Sequence, residues 1–219
     1  MVSFPIRVAL LDDHLLLLDA LAERINAHPQ MQVVLKATNA DEGLRGILET
    51  HPDLAILDVE LPGRGVFEMA AEVRTREKST KILFLTGYCS DVFIEHALKA
   101  KAHGYLIKGE PIEFLLDSIL RVASGEKCFS QQVANRMEFD EARNRHTLRA
   151  DTPLSNLTSR QLEVLRHLAR GESVKEVAKS MHLSQKSVDS HKYRIMHKLG
   201  IHDRVKLACY AIREGLSLP

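Results

Sequence analysis

Short apolar runs alternate with amphipathic segments over the first 125 residues. Five runs have the composition of buried strands, and each is followed by a segment with apolar residues at helical spacing. The predicted strands are 6–11, 32–36, 54–57, 81–85 and 105–107, and the predicted helices are 15–27, 41–48, 67–76, 94–101 and 111–123. Apolar strands that alternate with helices predict a doubly wound α/β fold, a five-stranded parallel sheet with helices on both faces.

The pattern changes after residue 125. Residues 126–153 are polar with few apolar anchors, which predicts an interdomain linker with a short helix near 132–137 and a flexible stretch up to Pro153. Residues 154–219 return to helical periodicity and predict a small all-α domain of four helices. Within it, a short helix, a tight turn at 181–183 and a longer helix at 185–199 predict a helix-turn-helix.

Charge is distributed unevenly between the two predicted halves. The whole chain of 219 residues has a net charge of +1, which by itself argues against a nucleic-acid-binding protein. Residues 1–151, however, hold 18 Lys and Arg against 23 Asp and Glu, whereas residues 152–219 hold 12 against 6. The acidic front and the basic back therefore indicate different partners, with nucleic acid the expected partner of the basic half.

Several classes of protein are not indicated by the sequence. No apolar run approaches the length of a membrane span, and the first residues have neither the charged start nor the cleavage site of a signal peptide. Cys89, Cys128 and Cys209 are odd in number and far apart, which is typical of reduced thiols in a cytoplasmic protein. We therefore expect a cytoplasmic protein that does not insert into a membrane.

Polar residues stand at the carboxyl ends of four predicted strands: Asp12 and Asp13, Asp58, Thr86 and Lys108. In parallel sheets this edge carries the ligand site. Three carboxylates that meet there repel one another unless a cation holds them. Asp13, Asp58 and a backbone carbonyl would suit octahedral Mg²⁺. A carboxylate between that cation and Lys108 is a good phosphoryl acceptor, and Thr86 could hydrogen-bond the product.

The motifs around these residues resemble the receiver domain of two-component response regulators, a flavodoxin-like fold, over residues 5–125. They are DDH at 12–14, LDVELPG at 57–63, FLTGY at 84–88 and GYLIKG at 104–109. The resemblance implies that Asp58 is the phosphoacceptor and that Asp13 binds Mg²⁺ directly. It further implies that Asp12 hydrogen-bonds metal-bound water and that the backbone carbonyl of Glu60 is a metal ligand.

The same resemblance assigns the switch. Thr86 and Lys108 would contact the phosphoryl group, and Tyr105 would change rotamer with Thr86. The signal would leave through the face shared by the fourth helix, the fifth strand and the fifth helix.

Three positions depart from the usual receiver pattern. Receiver domains usually have Gly eight residues after the phosphoacceptor, where this chain has Val66 and places Gly65 one position early. Gly87 follows Thr86 where Ala is usual, and Glu60 adds a carboxylate beside the pocket. We expect these differences to alter the loop and the lifetime of the phosphoryl group.

Residues 154–216 resemble the LuxR-type DNA-binding module, with a continuous match over 157–204, so the whole chain resembles the NarL/FixJ class of response regulators. The resemblance makes 185–199 the recognition helix. Base edges would face Asp189, Ser190 and Tyr193, and phosphates would face Lys186, Ser187, Lys192, Arg194 and Lys198. Asp189 would accept a hydrogen bond from cytosine or orient a neighbouring cation, or would only favour the helix dipole.

The leading hypothesis is thus a transcription regulator switched by phosphorylation of Asp58 by a sensor histidine kinase, with Mg²⁺ as cofactor. DNA would be its target, and it would form a homodimer when phosphorylated. An alternative keeps DNA binding but makes the first domain a constitutive dimerisation or ligand-sensing module. An enzyme is not expected, because an aspartyl-phosphate phosphatase needs a second Asp two residues after its nucleophile, which residues 12–14 lack.

Overall fold

A six-stranded parallel sheet forms the centre of the N-terminal half in the computed structural model, which describes residues 5–141, 145–149 and 153–216. The strands are β1 (Ile6–Leu11), β2 (Met31–Ala37), β3 (Leu54–Leu57), β4 (Lys81–Thr86), β5 (Gly104–Ile107) and β6 (Cys128–Phe129), in the order β2-β1-β3-β4-β5-β6. All five predicted strands are confirmed. The sixth, which lies at the edge beside β5, was not predicted.

Five helices cover both faces of this sheet: α1 (Leu15–Asn26), α2 (Ala40–Thr50), α3 (Val66–Arg76), α4 (Asp91–Lys99) and α5 (Ile112–Ala123). Side chains alternate along each strand, so Val8 and Leu10 pack in the core under α1 and α5. Ala9 and Leu11 belong to the core under α2, α3 and α4. The apolar strands are therefore buried on both faces, as predicted.

The segment expected to be a flexible linker contains regular structure. After β6 it forms α6 (Gln131–Ala134) and an antiparallel hairpin of β7 (Met137–Asp140) and β8 (Arg145–Leu148). Ser130 anchors the segment, because its hydroxyl oxygen accepts a hydrogen bond from the Ile107 amide at 2.9 Å. The predicted short helix is present, whereas 142–144 and 150–152 of the expected flexible stretch lie outside the described residues.

Gly104 allows the edge strand to approach. A Cβ atom at this position would overlap the backbone carbonyl of Cys128, its partner in β6. We expect Gly104→Ala to destabilise the protein by about 1–3 kcal/mol, because the strands have to move apart. Gly87→Ala is the matched control, since no described atom lies within 4 Å of its new methyl group. Urea unfolding measures both, and equal midpoints for the two variants would contradict the expectation.

His103, just before β5, is expected to reduce the free energy of unfolding at acidic pH. Its Nδ1 accepts a hydrogen bond from the Ile82 amide at 3.2 Å. Burial, and then the charges of Arg74, Lys81 and Lys127, lower its pKa to about 4. The unfolded chain therefore binds a proton more readily, so this contribution is complete above about pH 6.5 and is lost as the pH falls towards 4.

The test is the free energy of unfolding at about pH 7 and about pH 5, where we expect a decrease of about 1–2 kcal/mol from this group. His103→Asn is the control, because its side-chain oxygen can accept the same hydrogen bond without titrating. An equal decrease in wild type and variant would assign the acid sensitivity to other groups.

Four helices form the C-terminal domain, after a 3-10 turn at Pro153–Asn156. They are α7 (Ser159–Ala169), α8 (Val174–Ser180), α9 (Gln185–Leu199) and α10 (Arg204–Arg213). Thr158 and Gln161 form a capping box at α7, and Ser173 and Glu176 form another at α8. Gly200 ends α9 in the left-handed conformation, with φ 66°. The predicted all-α helix-turn-helix domain is confirmed.

The two domains share one apolar core. Phe67 and Phe93 of α3 and α4 belong to the same buried cluster as Leu162 and Leu165 of α7. No helix in the described ranges is both long and apolar enough to cross a bilayer.

Candidate functional site

Four side chains at the carboxyl edge of the sheet form an acidic cluster. Asp12, Asp13 and His14 directly follow β1, and Asp58 directly follows β3. One ligand atom from each of the four lies within 4.8 Å of the others. The parallel pairing of β1 with β3 brings these strand ends together. The structure thus joins the three predicted carboxylates and adds His14, whose Nδ1 lies 2.8 Å from an oxygen of Asp13.

Lys108, after β5, is the cation of this cluster. Its Nζ donates to Asp58 Oδ2 at 2.9 Å and lies 2.7 Å from Asp12 Oδ2. Burial raises the pKa of Asp58, against the attraction of Lys108. Burial alone would lower the pKa of Lys108, but the charges of Asp58 and Asp12 outweigh it and raise that pKa. One lysine therefore compensates two buried carboxylates only in part.

The second oxygen of Asp58 is left without a donor. Asp58 exposes 2% of its surface, and among the described residues no group hydrogen-bonds its buried Oδ1. A buried acceptor without a partner is costly unless a cation or a further donor reaches it. Carboxylate oxygens are the ligands that Mg²⁺ prefers, so the donor set of Asp13 and Asp58 fits this ion.

The loop between β3 and α3 borders the cluster and includes Glu60. Gly63 has φ +99° in this loop, a conformation that favours glycine, and Pro62 accepts a hydrogen bond from the Ala40 amide at 2.9 Å. Gly65, the displaced glycine, is the N-cap of α3. A Cβ there would lie 2.8 Å from Glu163 Oε1 of α7, so its lack of a side chain accommodates the C-terminal domain.

The predicted switch residues lie next to the cluster. Thr86 is fully buried at the end of β4, its hydroxyl oxygen accepts a hydrogen bond from the Tyr88 amide at 3.4 Å, and the hydroxyl lowers the pKa of the nearby Asp58. Tyr105 is also fully buried, and its hydroxyl donates to the backbone carbonyl of Tyr88 at 2.8 Å. Burial raises the pKa of Tyr105 well above its usual value. The aromatic ring of Tyr105 is therefore held inside the protein. Its hydrogen-bond partner, Tyr88, lies two residues after Thr86 in the chain.

The surface of α4 is covered by later parts of the chain. Ser90, its N-cap, donates to the Glu214 carbonyl at 2.9 Å, and Asp91 pairs with Arg136 at 2.7 Å. His96 Nδ1 lies 3.1 Å from the hydroxyl of Ser159 at the start of α7. Part of the face through which a receiver would signal is thus in contact with the C-terminal domain.

Helix α7 lies on the loop that follows Asp58. Arg166 donates to the Val59 carbonyl at 3.1 Å, and Arg170 pairs with the carboxylate of Glu60. Arg160 donates to the Gly63 carbonyl at 3.1 Å, while Glu163 accepts from the Val66 amide at 3.2 Å. Burial raises the pKa of Glu163 to about 7 despite Arg160 and Arg166.

Sequence reasoning did not find these α7 residues. Their spacing of three and four residues marks one polar side of the helix, but a polar side usually faces water, and only the docked structure reveals its partner.

The predicted DNA-contacting residues lie along α9, whose Val188 and Ile195 are buried. Those on the exposed surface are Lys186, Asp189, Ser190, Tyr193, Arg194 and Lys198, while Ser187 and Lys192 are half-buried. Lys192 Nζ lies 2.6 Å from Asp189, an arrangement in which the aspartate orients a neighbouring cation. Lys198 differs, because its Nζ donates to the Asn156 carbonyl at 2.7 Å and to Gln161 at 2.8 Å and so ties α9 to α7.

Comparisons with known proteins match both halves. Residues 8–120 match the response regulator receiver domain, and residues 155–211 match the bacterial regulatory proteins of the luxR family. The transcriptional regulatory protein YvfU of Bacillus subtilis (strain 168) is 32% identical over 210 residues, which is 96% of this chain and 98% of YvfU. The oxygen regulatory protein NreC of Staphylococcus aureus (strain MRSA252) is 30% identical over 213 residues, again 96% of this chain and 98% of NreC.

Among solved structures, a two-component response regulator of the LuxR family from Aurantimonas sp. SI85-9A1 is 30% identical, with a TM-score of 0.56. The similarity covers 59% of this chain and 92% of that one.

Proposed function

The chain belongs to the response regulators that join a receiver domain to a LuxR-type regulatory domain, and on that premise we propose that Asp58 accepts a phosphoryl group from a sensor histidine kinase. Members of this family regulate transcription and are not enzymes. The observation that carries the assignment is the buried Asp58 carboxylate, with Lys108 at 2.9 Å on one oxygen and no described donor on the other.

Transfer to Asp58 forms a bond between its carboxylate oxygen and phosphorus. The bond between phosphorus and the imidazole nitrogen of the kinase breaks, and its electron pair stays on that nitrogen. Asp58 has to be ionised for this reaction. Lys108 favours the ionised form against the burial that raises the pKa of Asp58, and it can neutralise charge on the transferred oxygens.

Asp13, Asp58 and the Glu60 carbonyl would hold Mg²⁺, and Asp12 would hydrogen-bond its water. The ion supplies positive charge to the phosphoryl oxygens. The carboxylates need such a cation because Lys108 compensates only part of their charge.

The hydroxyl of Thr86 lies close enough to Asp58 to lower its pKa, so Thr86 could donate a hydrogen bond to a phosphoryl oxygen on that residue. Movement of Thr86 towards the phosphoryl group would free space for Tyr105. Tyr105 would then adopt a different rotamer and lose its hydrogen bond to the Tyr88 carbonyl. This change would reach α4, on which the C-terminal domain rests.

DNA is the proposed target of α9. This helix presents Lys186, Ser190, Tyr193 and Arg194 to the solvent, in a domain with an excess of positive charge. Cations of this kind release counterions from phosphates, so binding weakens as salt rises. Val205 of α10 is 70% exposed, and this apolar surface supports pairing with a second phosphorylated copy.

Gel shift on the DNA upstream of the chain's own gene tests the proposal. Full-length protein treated with acetyl phosphate and Mg²⁺ is expected to bind more tightly than protein treated with acetyl phosphate and EDTA. Arg194→Met should weaken binding and reduce the slope of log affinity against log salt by about 1. Lys78→Met, which removes an exposed lysine of the N-terminal half, is the matched control of charge and should bind as wild type. Equal binding with Mg²⁺ and with EDTA would refute the phosphorylation switch.

A further inference from the structure

Arg166 of the C-terminal domain is buried beside the acidic cluster of the other domain. It exposes 4% of its surface, and its guanidinium lies 5.9 Å from the centroid of the Phe93 ring. One guanidinium nitrogen donates to Val59, the residue after Asp58, whereas Nε has no hydrogen-bond partner among the described residues. Burial lowers the pKa of Arg166, and the charges of Glu163, Asp58 and Asp13 oppose that effect.

A count of charges indicates what this arginine does. Asp12, Asp13 and Asp58 bring three negative charges to the cluster, and Lys108 compensates one of them. The remaining two negative charges match a divalent cation. Arg166 adds a further positive charge beside this cluster, because its buried guanidinium donates to the carbonyl of Val59, the residue after Asp58. Buried charges are screened only weakly. While α7 is docked, Arg166 therefore makes the surroundings of the cluster less negative, which disfavours a divalent cation.

We propose that Arg166 opposes Mg²⁺ binding at the phosphorylation site, so that docking of α7 and occupation of the metal site weaken each other. The inference rests on the proposed Mg²⁺ site. It goes beyond that site because a residue of the C-terminal domain would control the affinity of the receiver domain for the ion. Arg166 acts in two ways: its charge competes with the ion, and its hydrogen bond fixes the Val59 carbonyl, one residue before the predicted carbonyl ligand Glu60.

The coupling is reciprocal. If docked α7 reduces the affinity for Mg²⁺ by some factor, bound Mg²⁺ reduces the docking equilibrium by the same factor. The interface is suited to such release, because it holds a buried guanidinium with an unsatisfied Nε, and a buried charge with incomplete partners is costly. This route runs through the loop after Asp58 and does not need the rearrangement of Thr86 and Tyr105.

Titration of full-length protein with Mn²⁺, followed by the EPR signal of the free ion, tests the inference, with Mg²⁺ as competitor. Arg166→Met is expected to bind Mn²⁺ between about fivefold and about 100-fold more tightly than wild type, the usual range of coupling between sites. Arg166→Lys keeps the charge and should bind nearly as wild type. Lys175→Met removes an exposed charge of α8 from the same domain and should also bind as wild type.

A second measurement uses wild type alone, in case Arg166→Met does not fold. Saturating Mg²⁺ is expected to speed hydrogen exchange of the α7 amides, because it favours undocking.

Equal affinities of wild type and Arg166→Met, or α7 exchange that Mg²⁺ leaves unchanged, would overturn the inference and leave the proposed function intact. An Arg166→Lys variant that binds as tightly as Arg166→Met would overturn the electrostatic cause. If wild type and all variants lacked saturable binding of either ion, the proposed Mg²⁺ site itself would be wrong and the inference would fall with it.

Discussion

Asp58→Asn is expected to reduce phosphoryl uptake from acetyl phosphate to the level of protein incubated without the donor. An amide oxygen is a poor nucleophile and a weaker metal ligand than a carboxylate. The other two carboxylates of the cluster are not expected to replace Asp58 as the acceptor, because their surroundings differ from those of Asp58. Asp12 already accepts the Lys108 ammonium and the His14 amide, and Asp13 is more exposed to water. Intact-mass spectrometry measures the uptake as protein carrying one additional phosphoryl group.

The variant should remain folded, because the substitution removes one buried charge from a cluster of three carboxylates. Its thermal midpoint is expected to equal or exceed that of wild type. Asp19→Asn is the matched control, since Asp19 is an exposed carboxylate of α1 that pairs with Lys36. It should take up phosphoryl groups as wild type. Undiminished labelling of Asp58→Asn would show that another residue is the acceptor.

Lys108→Met is expected to destabilise the protein by about 2–4 kcal/mol at neutral pH, because it leaves Asp12 and Asp58 buried without their cation. The loss should become smaller in acid. Without Lys108 the pKa of Asp58, already raised by burial, rises further. The folded variant then binds a proton more readily than the unfolded chain, so its stability increases as the pH falls.

Urea unfolding of wild type and variant at about pH 8 and about pH 5 measures this difference. Lys36→Met is the matched control: its ammonium pairs with Asp19 at 2.6 Å on the surface. Exposed pairs contribute about 0–1 kcal/mol, so this control should change little. A Lys108→Met penalty that stays constant with pH would show that lost packing, and not the uncompensated carboxylates, causes the instability.

The local pattern of the sequence was sufficient for most of the fold and for the centre of the site. The strand ends that place Asp12, Asp58 and Lys108 together follow from apolar runs of fixed length in a parallel sheet, since all such strands end at one edge. The helix caps at Thr158 and Ser173 follow from side-chain hydrogen bonds within four residues.

The edge strand β6 and the hairpin of β7 and β8 were not predicted from the sequence, because these strands are short. Two-residue and four-residue strands carry too little apolar periodicity to stand out from a polar segment. What holds β6 in place is the close approach at Gly104 and the contacts of Ser130, which are distant in sequence.

The sequence alone therefore determined the parallel sheet, the acidic pocket with its lysine, and the helices of the C-terminal part with the basic helix α9. The sheet and the pocket follow from local periodicity and from the common direction of parallel strands, and the helices follow from local periodicity. Only the tertiary structure decided that α7 rests on the loop after Asp58, that Gly65 makes room for Glu163, and that Arg166 is buried near the carboxylates. These contacts join residues about 100 positions apart, such as Val59 and Arg166, and the pattern of one helix does not specify which surface will bury its polar side.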